Sequence, residues 1–288
     1  MTEPTYVKRG YLTEEFRLFH LSNPIVSEIG FHYHDFHKIV YILAGNSAYN
    51  IEGMHYDLRP GDVVLVGRGN IHRPEVRLNT EYERIVIFLS PSFLREHQEP
   101  DCPLEQCFLS DKHVLRPLGT DRSVIAQTMS RLNAEISFAS AGSRLMCRAL
   151  LIQLVITFAR ASSQYDGKAP LVADLRDEKN ALILRYINEN LTEELTVDFL
   201  AERFYVSKYH MMRSFKKNTG FSIHEYISEK RLLLSRDLLE AGFSATDACY
   251  GSGFHNYSTY ARAYKKLFGA PPGKGVTHIM PPDAGTGD

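Results

Sequence analysis

A five-residue string occurs twice in this chain, at the same point of two similar segments. Arg213-Ser214-Phe215-Lys216-Lys217 runs up to Gly220, and Arg262-Ala263-Tyr264-Lys265-Lys266 runs up to Gly269, an offset of 49 residues from 213 to 262. The approaches to both copies also match. Thr196 is placed to cap a short helix, Phe204-Tyr205-Val206 makes a brief connection, and Ser207 can cap a second helix that ends before Gly220. In the later copy Ser244 can cap a short helix, Gly251-Ser252-Gly253 supplies the turn, and a longer helix ends at Gly269 with Pro271 and Pro272 behind it. Two short-helix, turn, long-helix outlines are therefore expected. The periodicity predicts helix over 174–189, 197–203, 208–218, 223–240, 245–250 and 256–268, with no strand pattern between them.

Charge is gathered onto the second helix of each outline. Over 207–217 the charged residues are Lys208, Arg213, Lys216 and Lys217, and over 254–282 they are Arg262, Lys265, Lys266 and Lys274, all positive. Yet residues 180–288 hold 13 basic and 12 acidic side chains, and the whole chain, with 33 against 34, has a formal net charge of -1. Any nucleic-acid partner must therefore be met by a local basic surface. Basic helix ends also complement the helix macrodipole, which would explain one such string. Two copies at matching positions favour helices that pack through one face, on Phe215 and Tyr264, and enter a major groove with the other.

The segments 196–220, 223–240 and 245–272 resemble the double helix-turn-helix DNA-binding domain of AraC/XylS-type transcription regulators. Gly253-Phe254, Ser258, Tyr260, Arg262, Tyr264-Lys265-Lys266, Gly269 and Pro272 carry the resemblance. It implies that the helix over 223–240 holds two reading helices rigidly apart so that they enter successive major grooves. It places the base-facing positions on Tyr209, Met212 and Arg213, and on Tyr257, Ser258, Thr259 and Arg262. Arg213 and Arg262 could each grip a guanine, Ser258 and Thr259 can donate or accept, and Met212 could touch a thymine methyl. Either arginine could instead bind phosphate or brace its own unit. Ser207, Lys208, Lys216, Lys217, Lys265 and Lys266 suit the DNA backbone, the lysines as flexible point charges. After Pro272 the family usually continues into a short helix with an aromatic-Arg pair. Here Gly273-Lys274-Gly275-Val276 follows, so that helix is expected to be short or absent, and the tail from Pro281 disordered.

The first half of the chain has a different period. Strand-like runs at 39–45, 48–51, 54–58, 63–66 and 84–89 are separated by Gly45-Asn46, Pro60-Gly61-Asp62 and Arg68-Gly69-Asn70, so residues up to about 115 read as all-β. Val124, Thr128, Leu132 and Ile136 then recur every fourth residue behind a candidate cap at Asp121, and Ser143 is a candidate cap for a helix to about 160. That second helix is apolar on nearly every face over 145–158. It is either sandwiched between the sheet and its sister helix or also meets a partner subunit. The polar, small residues over 161–168, followed by Ala169-Pro170, mark a linker.

His32-x-His34, Gly45, Pro60-Gly61-Asp62 and His72 have the order of a cupin barrel, and cupin-like domains often precede AraC-type DNA-binding domains. Metal-binding cupins add a Glu four residues after the second histidine. Lys38 occupies that place here, so the usual four-ligand site cannot form unless His37 or Asp35 substitutes, and no metal or other cofactor is assigned. His32, His34 and His72 are then either hydrogen-bonded barrel residues or, with Lys38, the lining of a pocket for a small polar or anionic effector such as a sugar, helped by Tyr41 or Tyr49. The aromatic segment 6–19 could form an arm over the barrel mouth, as in sugar-responsive members of the family.

The expected fold is α+β with two domains. A cupin-like β-barrel with a helical dimerisation segment at about 121–160 fills 1–165, a linker covers 166–178, and an all-α double helix-turn-helix domain covers 179–288. The function this implies is a DNA-binding transcription regulator, activating through RNA polymerase, controlled by a small effector and acting as a homodimer. The contrasting class is a cupin metalloenzyme, a dioxygenase or isomerase, with an appended helical domain. Four cysteines without C-x-x-C spacing, no apolar leader over 1–15 and an apolar stretch over 149–159 that falls short of a membrane span place the protein in the cytoplasm, with no membrane partner.

Overall fold

The computed structural model describes residues 12, 14–22, 29–76, 80–109, 112–164 and 178–273. The chain divides into two compact units, Met1–Arg176 and Asp177–Asp288. The first is rich in sheet and the second is helical, as the change of period predicts. The linker over 166–177, Tyr6 and Tyr11 of the aromatic segment, and the tail from Lys274 lie outside the described residues.

In the first unit, β1 (Phe16–Leu21), β2 (His37–Ala44), β3 (Ser47–Ile51), β4 (Met54–Leu58), β5 (Val63–Val66), β6 (His72–Val76), β7 (Glu83–Leu89) and β8 (Val114–Leu115) form two sheets. Their orders are β1-β7-β2-β5-β8 and β4-β3-β6, every pairing antiparallel. No closed sheet is present among the described residues. The five-stranded sheet is covered on both faces, which explains its unbroken apolar runs. Ile39, Tyr41, Val63, Leu65, Ile85 and Ile87 share a core with helical residues. The alternating Val40, Ile42, Val64, Val66 and Val86 pack with Tyr49, Ile51, Tyr56 and Leu58 of the smaller sheet.

The helical side of that core is α1 (Pro91–His97), α2 (Gln106–Leu109), α3 (Gly119–Ser137) and α4 (Ser143–Gln164). The first two interrupt a stretch expected to be all-β. They bury Phe93, Leu94, Cys107 and Phe108 against the sheet, so tertiary burial overrides weak local propensity. Two cap assignments also change. Asp121 lies in the first turn of α3, which begins at Gly119 without a side-chain cap. Ser143 is the first residue of α4, and its hydroxyl accepts from the backbone of Ser140 at 2.8 Å, bracing the entering turn instead. The strand β6 lies outside the strand-like runs of the sequence and contains Pro74. It is an edge strand, where a missing donor is tolerated. The aromatic segment 6–19 is not wholly an arm, since Phe16–Leu21 is a strand in full register with β7.

The apolar circumference of α4 is largely absorbed within its own unit. Leu150, Leu151, Leu154, Val155 and Phe158 are buried, and Ile152 and Ile156 are partly buried against the same core, whereas Leu145 and Met146 are exposed. The helix is longer than the apolar run suggested. By length and composition alone Ser143–Ser162 could cross a membrane. Its burial against a sheet marks it as a core helix.

The second unit contains α5 (Glu178–Glu189), α6 (Val197–Arg203), α7 (Lys208–Thr219), α8 (Ile223–Glu240), α9 (Ala245–Gly251) and α10 (Tyr257–Phe268). Most of its starts are fixed by the side chains the sequence offers. Thr196, Ser207, Ser222, Ser244 and Asn256 each accept from a backbone N–H of the first turn, and Ser222 with Glu225 forms a reciprocal capping box. Gly220 and Gly269 end α7 and α10 in the left-handed region, both at φ 78°. Arg231 of α8 donates to the carbonyls of Leu191 and Glu193 at 2.7 and 2.6 Å, tying the loop between α5 and α6 to the connecting helix. Gly253 approaches the same loop so closely that a Cβ there would stand 2.6 Å from the Leu191 oxygen.

Candidate nucleic-acid interface and effector pocket

The helices α7 and α10 are amphipathic in the sense the repeat requires. Met211, Phe215 and Thr219 of α7 and Tyr260 and Tyr264 of α10 are buried. Phe215 meets Tyr226 of α8 edge-on at 5.4 Å, and Tyr264 meets Tyr260 edge-on at 5.6 Å and the tilted ring of Phe268 at 4.5 Å. Tyr209, Met212, Arg213, Tyr257, Ser258, Thr259 and Arg262 are all exposed. So are Ser207, Lys208, Lys216, Lys217, Lys265 and Lys266. Tyr209 and Met212, at 72% and 45% exposure, are large apolar surfaces with no core role to explain them.

Local contacts set the posture of several of these side chains. Arg262 donates from Nε to the Ser258 carbonyl at 3.3 Å, one turn back along its own helix. Lys208 pairs with Asp198 of α6, an exposed pair of the kind worth at most about 1 kcal/mol and easily exchanged for a phosphate. Lys216 and Lys266 both act on Glu225. Hydrogen bonds from Ser222 hold its carboxyl below the usual carboxylate range, and these two lysines add to the effect. The basic ends of α7 and α10 thus both act on the Glu225 carboxyl in the first turn of α8. An open cleft of about 640 Å³ in this unit is walled by Tyr186, Asn190, Glu193, Glu194, Thr196 and Phe199. Two glutamates, Glu193 and Glu194, make this lining acidic.

In the first unit, His32, His34 and His72 come together. Their ligand atoms lie within 4.8 Å of one another, and all three are buried. Main-chain bonds in both directions join His32 to His72 at 3.0 and 2.9 Å, which sets the two side chains abreast. His34, two residues on from His32, shares its face. His32 Nδ1 donates to the Gly30 carbonyl at 2.8 Å and His72 Nδ1 to the Asn70 carbonyl at 2.9 Å, which fixes both tautomers. Burial first, then His32, His34 and Lys38, push His72 well below the ordinary histidine range, so it is neutral. Lys38 is itself buried, with Nζ 5.9 Å from the Phe88 ring centre.

Neither His37 nor Asp35 belongs to the converging group. His37 faces the helical layer, where Nδ1 accepts from the Arg68 backbone and Nε2 donates to Glu105 at 3.0 Å. Tyr41 also lies on the helical side. Tyr49 lies near the cluster, its ring parallel to His72 at 6.5 Å. Sequence reasoning missed Phe36 and Phe88, whose rings meet at 4.4 Å, and of which Phe36 stacks on His34 at 4.6 Å. It also missed Glu52, which accepts from the Ile71 backbone at 2.7 Å and steadies the loop carrying Asn70. No spacing rule joins these residues to the histidines, and only the pairing of the strands does.

Two family models match the chain, an AraC-like ligand binding domain over residues 23–155 and a helix-turn-helix domain over residues 200–275. The HTH-type transcriptional activator RhaS of Escherichia coli (strain SE11) is 26% identical over 250 residues, covering 84% of this chain and 85% of its own. ToxT from Vibrio cholerae O395 superposes over 90% of this chain and 96% of its own, at 15% identity and a TM-score of 0.36. The DNA-binding domain of AdpA, solved in complex with a target DNA, is 26% identical over 32% of this chain and 84% of its own, with a TM-score of 0.31. With both of its units matched by name and order, the chain belongs to the AraC family: it is a DNA-binding, ligand-controlled transcription regulator and not an enzyme.

Proposed function

We propose that α7 and α10 enter successive major grooves of double-stranded DNA. Tyr209, Met212, Arg213, Tyr257, Ser258, Thr259 and Arg262 would read bases, and Ser207, Lys208, Lys216, Lys217, Lys265 and Lys266 would hold the backbone. The observation that carries this reading is the division of each helix, with every proposed contact residue exposed and the aromatic of each repeat buried. Selection of bound fragments from genomic DNA, followed by footprinting, tests it. A single recurring site with two protected grooves one helical turn apart is expected. Equal affinity for random DNA would overturn it.

The working division is a sensor over 1–165, a linker over 166–178 and the DNA-binding domain over 179–288. The two sheets of the sensor are read as parts of a cupin-like barrel, with its pocket at His32, His34, Lys38 and His72. A small polar effector, a sugar or an acid, binds there and shifts the population competent for DNA through its differential affinity for the two states. A thermal-shift panel of sugars, sugar acids and aromatic acids should find a ligand that raises the sensor's unfolding temperature. Pairing of two chains through the outer stripe of α4 at Leu145, Met146 and Ala149 is supported by the exposure of these residues. Sedimentation of Leu145→Asp as a monomer beside a dimeric parent would bear this out. Activation through RNA polymerase in the cytoplasm follows the example of RhaS, whose name records an activator.

A further inference from the structure

We infer that Tyr205 is a further DNA-backbone residue, a role that rests on the groove reading above. Its ring packs on a deoxyribose at the lip of the groove that α7 enters, and its hydroxyl donates to the adjoining phosphate. Neither the repeated string nor the resemblance singles this side chain out.

The two turns supply the comparison. Each holds a left-handed residue two places after its short helix, Tyr205 in the first and Gly253 in the second. The second turn is closed against its own unit, because a Cβ on Gly253 would stand 2.6 Å from the Leu191 oxygen and 2.9 Å from the Thr192 Cα. The first is open. Tyr205 holds φ 51° and is 91% exposed, more than any other large apolar side chain among the described residues. Left-handed backbone is unfavourable for tyrosine and easy for glycine, and a solvated ring recovers nothing through burial. A side chain that is strained yet packed against nothing points to a partner outside the chain.

Its neighbours indicate which partner. Phe204 turns inward to meet Tyr186 at 5.7 Å, while Tyr205 beside it projects into solvent. Two residues on, Ser207 caps α7 by accepting from the His210 N–H at 3.4 Å, and the exposed Lys208, Tyr209 and Met212 follow. From Arg203 to Lys217 every charged side chain is positive. In helix-turn-helix docking the second helix presents its first residues to base edges while the first helix crosses the backbone. The turn that joins them then stands over sugar and phosphate. A tyrosine suits that place, since its face covers the apolar sugar and its O–H donates to phosphate without reading sequence.

The test uses the full chain and the duplex recovered by genomic selection. Tyr205→Gly should bind roughly 10-fold more weakly although its resistance to denaturant rises, and by the same factor on every single-base variant of the site. Tyr205→Asn, which suits the same backbone without the freedom of glycine, should lose as much. The salt slope should stay that of the parent, because no cation is removed. Ethylation interference should reveal one phosphate beside the α7 groove whose modification hinders the parent but neither variant. Tyr205→Phe, which keeps the ring and loses the donor, should recover part of the affinity and none of the interference at that phosphate. Undiminished affinity in Tyr205→Asn, or an interference pattern the same as the parent's, would overturn the proposal. The groove reading would survive that failure, since it is judged by the parent chain's own site selection and salt slope.

Discussion

Tyr205 and Gly253 occupy the same left-handed position in the two turns, at φ 51° and 88°. Each follows the last residue of its short helix by two, and the hydrogen bonds around them agree. Tyr205 donates to Glu202 and Val206 to Ala201, as Gly253 donates to Tyr250 and Phe254 to Cys249. One turn meets its backbone requirement with glycine and the other bears it with a tyrosine that is 91% exposed. Strain of about 1 kcal/mol is therefore stored at Tyr205. Tyr205→Gly should raise stability to denaturant by up to about 1 kcal/mol. Gly253→Ala should lower it by more than about 2 kcal/mol, because its Cβ would meet the main chain of Leu191 and Thr192. A neutral Gly253→Ala would show that the loop yields.

Arg262 and Lys266 share a helix but should fail differently. Arg262→Ala is expected to cost about 1 to 3 kcal/mol on the selected site and to relax preference at one base pair, whereas Lys266→Ala should weaken specific and random duplexes alike. Competition binding on a panel of single-base variants separates the two. Equal losses on all sequences for Arg262→Ala would remove it from base reading.

Salt gives an independent measure of the basic faces. The logarithm of affinity should fall with the logarithm of salt concentration at a slope near -0.9 per phosphate neutralised, and Lys216→Ala or Lys265→Ala should each flatten it by about 1. A flat response in the parent protein would contradict the assignment of all these lysines.

Acid should weaken the sensor before it weakens the DNA-binding unit. Burial holds His37 below its ordinary value of 6.5, and the hydrogen bond from neutral His37 holds Glu105 below 4.5. For His37 the unfolded chain gains its proton first. Its contribution is thus complete above about pH 6.5 and declines as the pH falls toward the folded value, by at most about 1.4 kcal/mol per pH unit for one proton. Glu105 adds stability above 4.5 that is lost as the pH falls through its depressed value. Denaturant midpoints for sensor unfolding between pH 8 and 5 should show this decline, with a shallower slope in His37→Gln.

Gly45 offers a test of the sheet itself. It sits at φ 87° with the Glu81 carbonyl 2.2 Å from where a Cβ would be, so Gly45→Ala should cost more than about 2 kcal/mol in the sensor. Retained DNA affinity in the same variant would show that the helical unit stands without it.

The helical unit was the more legible half, and the reason is local. Thr196, Ser207, Ser244, Gly220 and Gly269 act within a few residues of themselves, so caps and boundaries could be read directly, and α6 and α8 fall on 197–203 and 223–240 as expected. In the sensor the decisive contacts are distant. His32 meets His72 across 40 residues of chain, and α1 and α2 exist because a sheet is there to bury Phe93 and Phe108. Lys38 marked the place where a metal-binding cupin has its acid, but gave no sign that three histidine nitrogens converge there.

Arg231 grips two carbonyls of the segment that leads into the first reading unit, and it does so from the rod leading to the second. If α7 and α10 enter grooves as proposed, neither can then swivel alone to follow an altered target. When the two recognition elements of an operator are moved apart by a base pair, it is the duplex that must twist or bend, so such insertions should be penalised according to the stiffness of the intervening DNA.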